Sequence, residues 1–299
     1  MNALDASNGD NPLRAAYYAD QAGQFQVAVT ENIRLARDTY RVRFDCPEMA
    51  AKILPGQFLM IRLPGCDDPL LARPFALYDT VLDRTGRPVG IDVVYLVIGK
   101  MTSRLALCQT GDPLDVWGPL GNGFSPDPVE HLIMVAGGIG QTPFLALGRQ
   151  FLGGRRYGLQ QTKVQASSSV TLCYGVRSKD LLAGAEDFRD CGIDLHVSSD
   201  DGSVGHHGLV TELLQQVLAE KPTTASRIAC CGPEPMMEAV AEIAAQQDVC
   251  CEVSLETPMA CGIGICFSCV VKTLQPNGDW DYKRTCVDGP VFDARNIVW

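Results

Sequence analysis

No apolar stretch in this chain is long enough to cross a bilayer. Even the most apolar segments, such as HLIMVAGGIG at 131–140, fall well short of the roughly 20 residues a spanning helix needs. The first twenty residues, MNALDASNGDNPLRAAYYAD, hold no apolar run, so neither a signal peptide nor a membrane anchor is expected and the default address is the cytoplasm. Positive charge is also in short supply. Lys and Arg total 25 against 35 Asp and Glu, for a net charge of −10 and a pI near 4.9. That balance argues against a nucleic-acid surface, which wants basic patches. Internal repeats are absent. With 46% hydrophobic and 20% charged residues the chain reads as globular rather than disordered, and its 299 residues suffice for two domains with their own cores.

Cysteine, by contrast, is abundant: thirteen residues. An odd number in a chain expected in the cytoplasm does not read as a disulfide framework. Cys46, Cys66, Cys108, Cys173 and Cys191 stand singly, and Cys250 and Cys251 lie in the strand-like run VCCEVSL. All seven read as small core hydrophobes. The stretch MACGIGICFSCVV, residues 259–271, differs in kind. Cys261, Cys266 and Cys269 form C-x4-C-x2-C, and Cys286 in YKRTCVDGPVF is the only later cysteine. Four thiolates at this spacing match the plant-type [2Fe–2S] pattern. Gly262 and Gly264 permit the positive φ angles that aim successive amides at negatively charged sulfurs. A four-cysteine structural zinc site is the competing reading. Zinc ribbons usually bring two C-x2-C knuckles, and here there is one.

The hydrophobic period changes twice along the chain. Residues 1–23 show no period and read as an extension. From residue 24 to about 126, short alternating runs (QFQVAVTENIRLA, TYRVRFDCP, GQFLMIRLP, ARPFALYD, GIDVVYLVI, GDPLDVWGPLG) are punctuated by Gly and Pro. This predicts a small antiparallel β-barrel. Over 127–248, strand-like HLIMVAG, SVTLCYGV, IDLHVSS and RIACCG alternate with helical PFLALGRQFLG, KDLLAGAEDF, GLVTELLQQVLAE and PMMEAVAEIAAQQ. Such alternation predicts a doubly wound parallel sheet. The polar stretch at 153–169 reads as an exposed loop. Residues 249–299 form a small C-terminal cluster module, in which PNGD predicts a hairpin turn that brings Cys269 and Cys286 together.

Four motifs carry candidate chemistry. VAGGIGQTPFLAL follows a strand; Gly137, Gly138 and Gly140 let the backbone approach a ligand, Thr142 is expected as a helix N-cap and Pro143 at the first helical position. Amides at that helix start suit a pyrophosphate, although tight strand–helix turns use the same residues. CCGPEPMM places Cys231 and Gly232 at the carboxyl edge of the sheet, where α/β folds bind ligands, unless it is only a strand before a Pro-opened helix. ARPFALYD sets Arg73 and Pro74 on a barrel strand, with Arg73 either a phosphate partner or an ordinary surface residue. IGKMTSRL offers Gly99 and Thr102 at a second helix start, a phosphate site or a plain capped turn.

In this order, RPFA, G-x-x-T, GGIG-x-TP, CGPxxMM and the C-terminal cysteines resemble the ferredoxin–NADP reductase superfamily. GDPLDVWGPLGNGF, VSLETPMACGIGICFSCVV and YKRTCVDGPVF narrow the resemblance to the electron-transfer subunits of two-subunit, NAD-linked dihydroorotate dehydrogenases, over about residues 24–295. The chain departs from the pattern at Phe75 and Ala76, where relatives often carry a small or hydroxyl residue. The resemblance implies FAD in the barrel, with Arg73, Pro74, Phe75 and Ala76 along flavin and phosphates, Val94, Tyr95 and Leu96 flanking, and Met101 and Thr102 at the pyrophosphate. It implies NAD(H) on the sheet, with Gly138 and Gly140 near its phosphates and Cys231, Gly232 and Pro233 beside the nicotinamide. It implies [2Fe–2S] on Cys261, Cys266, Cys269 and Cys286, and an FMN-containing catalytic partner that oxidises dihydroorotate in pyrimidine biosynthesis, as a two-plus-two assembly. NAD is expected over NADP because HVSSDDGS puts Asp200 and Asp201 at a strand end, where carboxylates repel a 2′-phosphate; Arg177 and Lys179 weigh the other way. A ferredoxin- or hydrogenase-linked reductase subunit of the same superfamily is the first alternative. A non-catalytic redox sensor or zinc module is the second.

Overall fold

The computed structural model describes residues 19–299 apart from 66, 160–163 and 221–224. Most of the expected N-terminal extension, and the middle of the polar stretch at 153–169, therefore lie outside the described residues. Strands β1 (Gly23–Ala36), β2 (Thr39–Asp45), β3 (Phe58–Arg62), β4 (Arg73–Ala76), β5 (Asp79–Leu82), β6 (Pro88–Leu96) and β7 (Pro113–Leu120) build an antiparallel sheet in the order β4-β3-β7-β1-β2-β6-β5. Two short helices interrupt it, α1 (Pro47–Ala50) and α2 (Lys100–Leu105). The length of β1 explains the curl. Its first half pairs with β7 and its second with β2, and register shifts beyond Val29 and Arg34 bend it between them. The resulting barrel-like sheet wraps a core that includes Phe44, Leu59, Ile61 and Tyr95.

The second sheet is built from β8 (His131–Gly137), β9 (Ser169–Val176), β10 (Asp194–Ser199), β11 (His206–His207), β12 (Ser226–Cys231) and β13 (Cys250–Ser254). Helices α3 (Phe144–Phe151), α4 (Ala185–Asp190), α5 (Val210–Glu220) and α6 (Glu234–Gln246) intervene. These six strands are parallel, with β8 and β12 adjacent at the centre. After β13 the chain leaves the sheet. It forms a hairpin of β14 (Val270–Leu274) and β15 (Trp280–Arg284), then returns as β16 (Val291–Asp293), antiparallel to β13. Two strands of the segment 249–299 thus belong to the sheet, and the cysteine loop is an excursion between them.

Four local expectations meet corrections. Cys250, read as a core residue, is exposed at the start of β13. KDLLAGAEDF is not one helix. Gly184 sits at φ +69° and divides a 3₁₀ turn at Lys179–Leu181 from α4. Thr142 is not a helix N-cap and Pro143 is not the first helical residue. GIGQ is itself a 3₁₀ turn, so Thr142 is already helical, Pro143 takes the cap position and no side chain bonds the cap. The stretch at 153–169 is not simply exposed, because Tyr157 and Val164 are buried. Tyr157 donates a 2.7 Å hydrogen bond to Asp79 of β5, and Arg149 and Arg155 pair with the same carboxylate. This buried acid ties the sheet of β8–β13 to the barrel.

Candidate functional site

A cavity of about 450 Å³ lies where the barrel meets the carboxyl edge of the parallel sheet. Arg73, Pro74, Phe75 and Ala76 of β4, Val94, Tyr95 and Leu96 of β6, and Met101 and Thr102 of α2 all line it. Consecutive residues of β4 and β6 make up this wall, and the Phe75 ring meets Tyr95 edge-on at 6.0 Å. Arg73 Nη1 donates to the carbonyls of Leu71 and Ala72 at 3.0 Å, and among the described residues no carboxylate pairs with it. An exposed guanidinium without an acid beside a cavity suits an anionic group. The Thr102 hydroxyl accepts from the amides of Ile98 and Gly99 at 3.1 and 3.2 Å, fixing the turn into α2. At the mouth, Lys100 Nζ pairs with Asp68 at 2.7 Å.

The sheet contributes the opposite wall. Cys231, the last residue of β12, lines the cavity with Ser254, Leu255 and Glu256 from the end of β13. Burial pushes the Cys231 thiol well up, Glu256 adds to this, and a hydrogen bond with Ser254 opposes it. Glu256 opens onto the cavity but is closed in by protein from the sides, and that burial raises its carboxyl above the usual value. Sequence reasoning passed over Glu256. The signal was present: it follows an apolar strand at the same sheet edge as Cys231, in the stretch VSLE.

The glycine-rich turn lines this wall through Ile139, Thr142 and Pro143, while Gly137, Gly138 and Gly140 stand behind them. A Cβ on Gly140 would come within 2.3 Å of the Cys231 carbonyl oxygen, so only glycine lets the two strand ends close up. Gly138 has φ +55° and faces open space. Gly232 and Pro233 form the turn from β12 into α6, with Pro233 at its cap. Asp200 lies apart from this group. It directly follows β10, its amide bonds the Val176 carbonyl at 3.1 Å, and the Asp201 amide reaches Arg177 O at 3.2 Å. The acid pair and Arg177 therefore share one strand-end corner.

The four cysteines stand as two pairs. Cys269 and Cys286 are buried with sulfurs 3.2 Å apart, brought together at the base of the β14–β15 hairpin, where Thr285 N–H bonds Cys269 O. Cys261 and Cys266 are joined by a hydrogen bond nearer the surface, with Cys266 exposed. Burial pushes the Cys266 thiol up, but bonds from Ser268 and Cys261 outweigh it and bring it down to about 6. The bond between Cys269 and Cys286 brings Cys269 down to about 6 as well, while the same bond pushes Cys286 up. Backbone amides point at sulfur: Ile263 N–H at Cys261 Sγ, 3.4 Å, and Gly264 N–H at Cys286. Gly262 and Gly264 make this possible with φ of +73° and +84°. Among the described residues, no three His, Cys, Asp or Glu side chains converge on a single metal point. Two pairs of sulfurs suit a two-iron cluster, in which each iron takes two thiolates, better than one tetrahedral zinc.

The loop also packs on the barrel. Trp117 Nε1–H donates to Cys261 O at 3.1 Å, and a Cβ on Gly262 would stand 2.8 Å from Met60. Phe58 and Met259 line the cavity and also pack in the core that holds Cys269 and Cys286. The cavity and the cysteine site share this wall. Outward, Ile265 and Phe267 are more than half exposed beside Cys266.

Comparison with known proteins matches three family models to this chain. An oxidoreductase FAD-binding domain model matches residues 26–124, an oxidoreductase NAD-binding domain model matches 134–242, and the iron-sulfur cluster binding domain of dihydroorotate dehydrogenase B matches 256–298. The electron transfer subunit of dihydroorotate dehydrogenase B (NAD(+)) from Desulforamulus reducens is 35% identical over 277 residues, 92% of this chain and 98% of the relative. The same subunit from Caldanaerobacter subterraneus is 32% identical over 276 residues, 92% and 99% of the two chains. Among solved structures, that of an NADH-dependent reduced ferredoxin-NADP oxidoreductase superimposes with a TM-score of 0.74 at 27% identity, covering 93% of this chain and 91% of that one. Phthalate dioxygenase reductase shares the fold, with a TM-score of 0.56 at 19% identity.

Proposed function

Because the chain belongs to the family of dihydroorotate dehydrogenase B electron transfer subunits, we propose that it carries electrons between a catalytic partner, which oxidises dihydroorotate to orotate on FMN, and NAD in the cytoplasm. The observation that carries this reading is the wall of Phe58 and Met259, which sets the cavity of about 450 Å³ directly against the core that holds Cys269 and Cys286. NAD takes a hydride and an iron–sulfur centre takes single electrons; FAD bound between them supplies the exchange. Arg73 would neutralise the FAD phosphates, Phe75, Tyr95 and Val94 would hold the ring, and Met101 and Thr102 would seat the pyrophosphate. Gly138 and Gly140 would admit the dinucleotide phosphates and Cys231, Gly232 and Pro233 the nicotinamide, with Ser254 and Glu256 on the same face. Asp200, beside Asp201, would accept from the ribose 2′-OH and repel a 2′-phosphate. Ile265 and Phe267, apolar and exposed beside Cys266, support a partner docking there, and the family implies two such chains on two catalytic subunits.

The reading is tested by assaying the isolated chain with NADH and a dye, and then with dihydroorotate. Dye reduction without dihydroorotate oxidation is expected, and adding the catalytic subunit should restore dihydroorotate-dependent NAD reduction. Oxidation of dihydroorotate by the chain alone would overturn the assignment, and so would failure of the two chains to associate. Transfer instead to a ferredoxin would favour the ferredoxin-linked alternative, to which the 27% identical structure is a pointer.

A further inference from the structure

The loop carrying Cys261 and Cys266 rests on a buried cation. Arg284, 7% exposed, ends β15 opposite Val270, so it stands one residue beyond Cys269 across the hairpin and two before Cys286 along the chain. Its Nη1 donates to the Gly264 carbonyl at 2.9 Å. The guanidinium carbon lies 5.0 Å from the Phe267 ring centroid, a cation–π distance. Its Nε is 3.5 Å from Asp288 Oδ2, and its backbone amide donates to the same oxygen at 2.8 Å. Asp288 is also buried, with 7% of its side chain exposed.

These contacts fall on two left-handed points of the loop, of which Phe267 is the strained one. Gly264 has φ +84° and Phe267, which is not glycine, has φ +56°. A non-glycine residue in that region costs on the order of 1–3 kcal/mol and persists only where the surroundings hold it. Arg284 holds both ends: it fixes the carbonyl of Gly264, whose amide is turned to Cys286, and it lies over the ring of Phe267. A buried ion pair is a weak source of net stability. This one is better explained by what it does to the loop and to the charge beside it. A site that becomes one unit more negative on taking up an electron is stabilised by a nearby cation, and the effect is large where water is excluded.

Resting on the reading of the four cysteines as a [2Fe–2S] site, we propose that Arg284 is a positioning residue that fixes the cluster loop and biases the cluster toward its reduced state, with Asp288 setting the strength of that bias. The test is a redox titration of the cofactor-loaded protein followed by electron paramagnetic resonance, after iron and acid-labile sulfide have been quantified. Arg284→Met should move the cluster midpoint to lower potential, Asp288→Asn should move it to higher potential, and Arg284→Lys, which keeps the charge, should lie between Arg284→Met and wild type. The flavin midpoint should stay in place in all three. Should Arg284→Met fail to assemble a cluster, Asp288→Asn carries the test, because Asn can still accept from the Arg284 amide. A cluster midpoint unmoved in Asp288→Asn, or moved in the same direction as in Arg284→Met, overturns the proposal. Absence of iron and labile sulfide from the wild-type protein would instead sink the cluster reading itself.

Discussion

Glu256 shows how one residue at the cavity makes stability depend on pH. Burial raises its carboxyl from the ordinary 4.5, so the folded chain holds this proton more tightly than the unfolded chain does. Linkage then fixes the sign. The stabilising contribution is complete below about pH 4.5 and is lost as pH rises through the raised value, because the folded state must then ionise a carboxyl that the protein packed around it solvates less well than bulk water does. Glu256→Gln is expected to melt with the wild type at pH 4 and above it at pH 8 in the flavin-free chain, as followed by thermal scans at both pH values; equal melting shifts at both would show that burial does not govern this group. The residue was missed in the sequence for a plain reason. Arg73, Gly140 and Cys231 announce themselves through spaced Gly and Pro, whereas a lone carboxylate after an apolar strand looks like any strand-ending acid until β13 is seen to end at the cavity.

At the scale of elements, β5 matters more than its four residues suggest. It offers Asp79, 3% exposed, to Arg149 of α3, to Arg155 and to Tyr157, and the Thr80 amide bonds the same carboxylate at 2.8 Å. Asp79→Ala would leave two part-buried guanidinium groups without their counter-ion. Allowing for their partial exposure, a loss of about 2–4 kcal/mol is expected, measurable by urea unfolding, and a change within 0.5 kcal/mol on the order of an ordinary surface substitution would mean the hub is dispensable. Neither β5 nor β16 was legible beforehand. Strands of four and three residues show no period of their own, and they exist because longer neighbours, β6 and β13, offer them a ladder. The longer strands and helices were legible, since each carries a whole run of alternating or helical apolar residues, and so was the β14–β15 hairpin, which PNGD marks by its turn chemistry.

For the whole molecule, the order of the three modules along the chain was readable, but their interlocking was not. Spacing located the cysteines; nothing in it said that Trp117 of the barrel would hydrogen-bond the loop, or that Phe58 would serve both cavity and cluster core. Those contacts join residues more than 140 positions apart along the chain in the case of Trp117 and Cys261. The excursion between β13 and β16 has a mechanical consequence. Its feet are tied to each other, Leu255 N–H to Pro290 O at 2.9 Å, and to the barrel through Asn122, whose side chain both donates to and accepts from Val291. A segment anchored at both feet and along one flank cannot swing as a tethered carrier does. Passage of electrons between the flavin and cluster sites should therefore proceed without the large-amplitude diffusive step that slows in thick solvent. In stopped-flow reduction by NADH, the delay between flavin bleaching and cluster bleaching is expected to stay constant as sucrose raises the viscosity several-fold. A delay that lengthens in proportion to viscosity would mean that the anchors let go during turnover, and that the loop is a moving part after all.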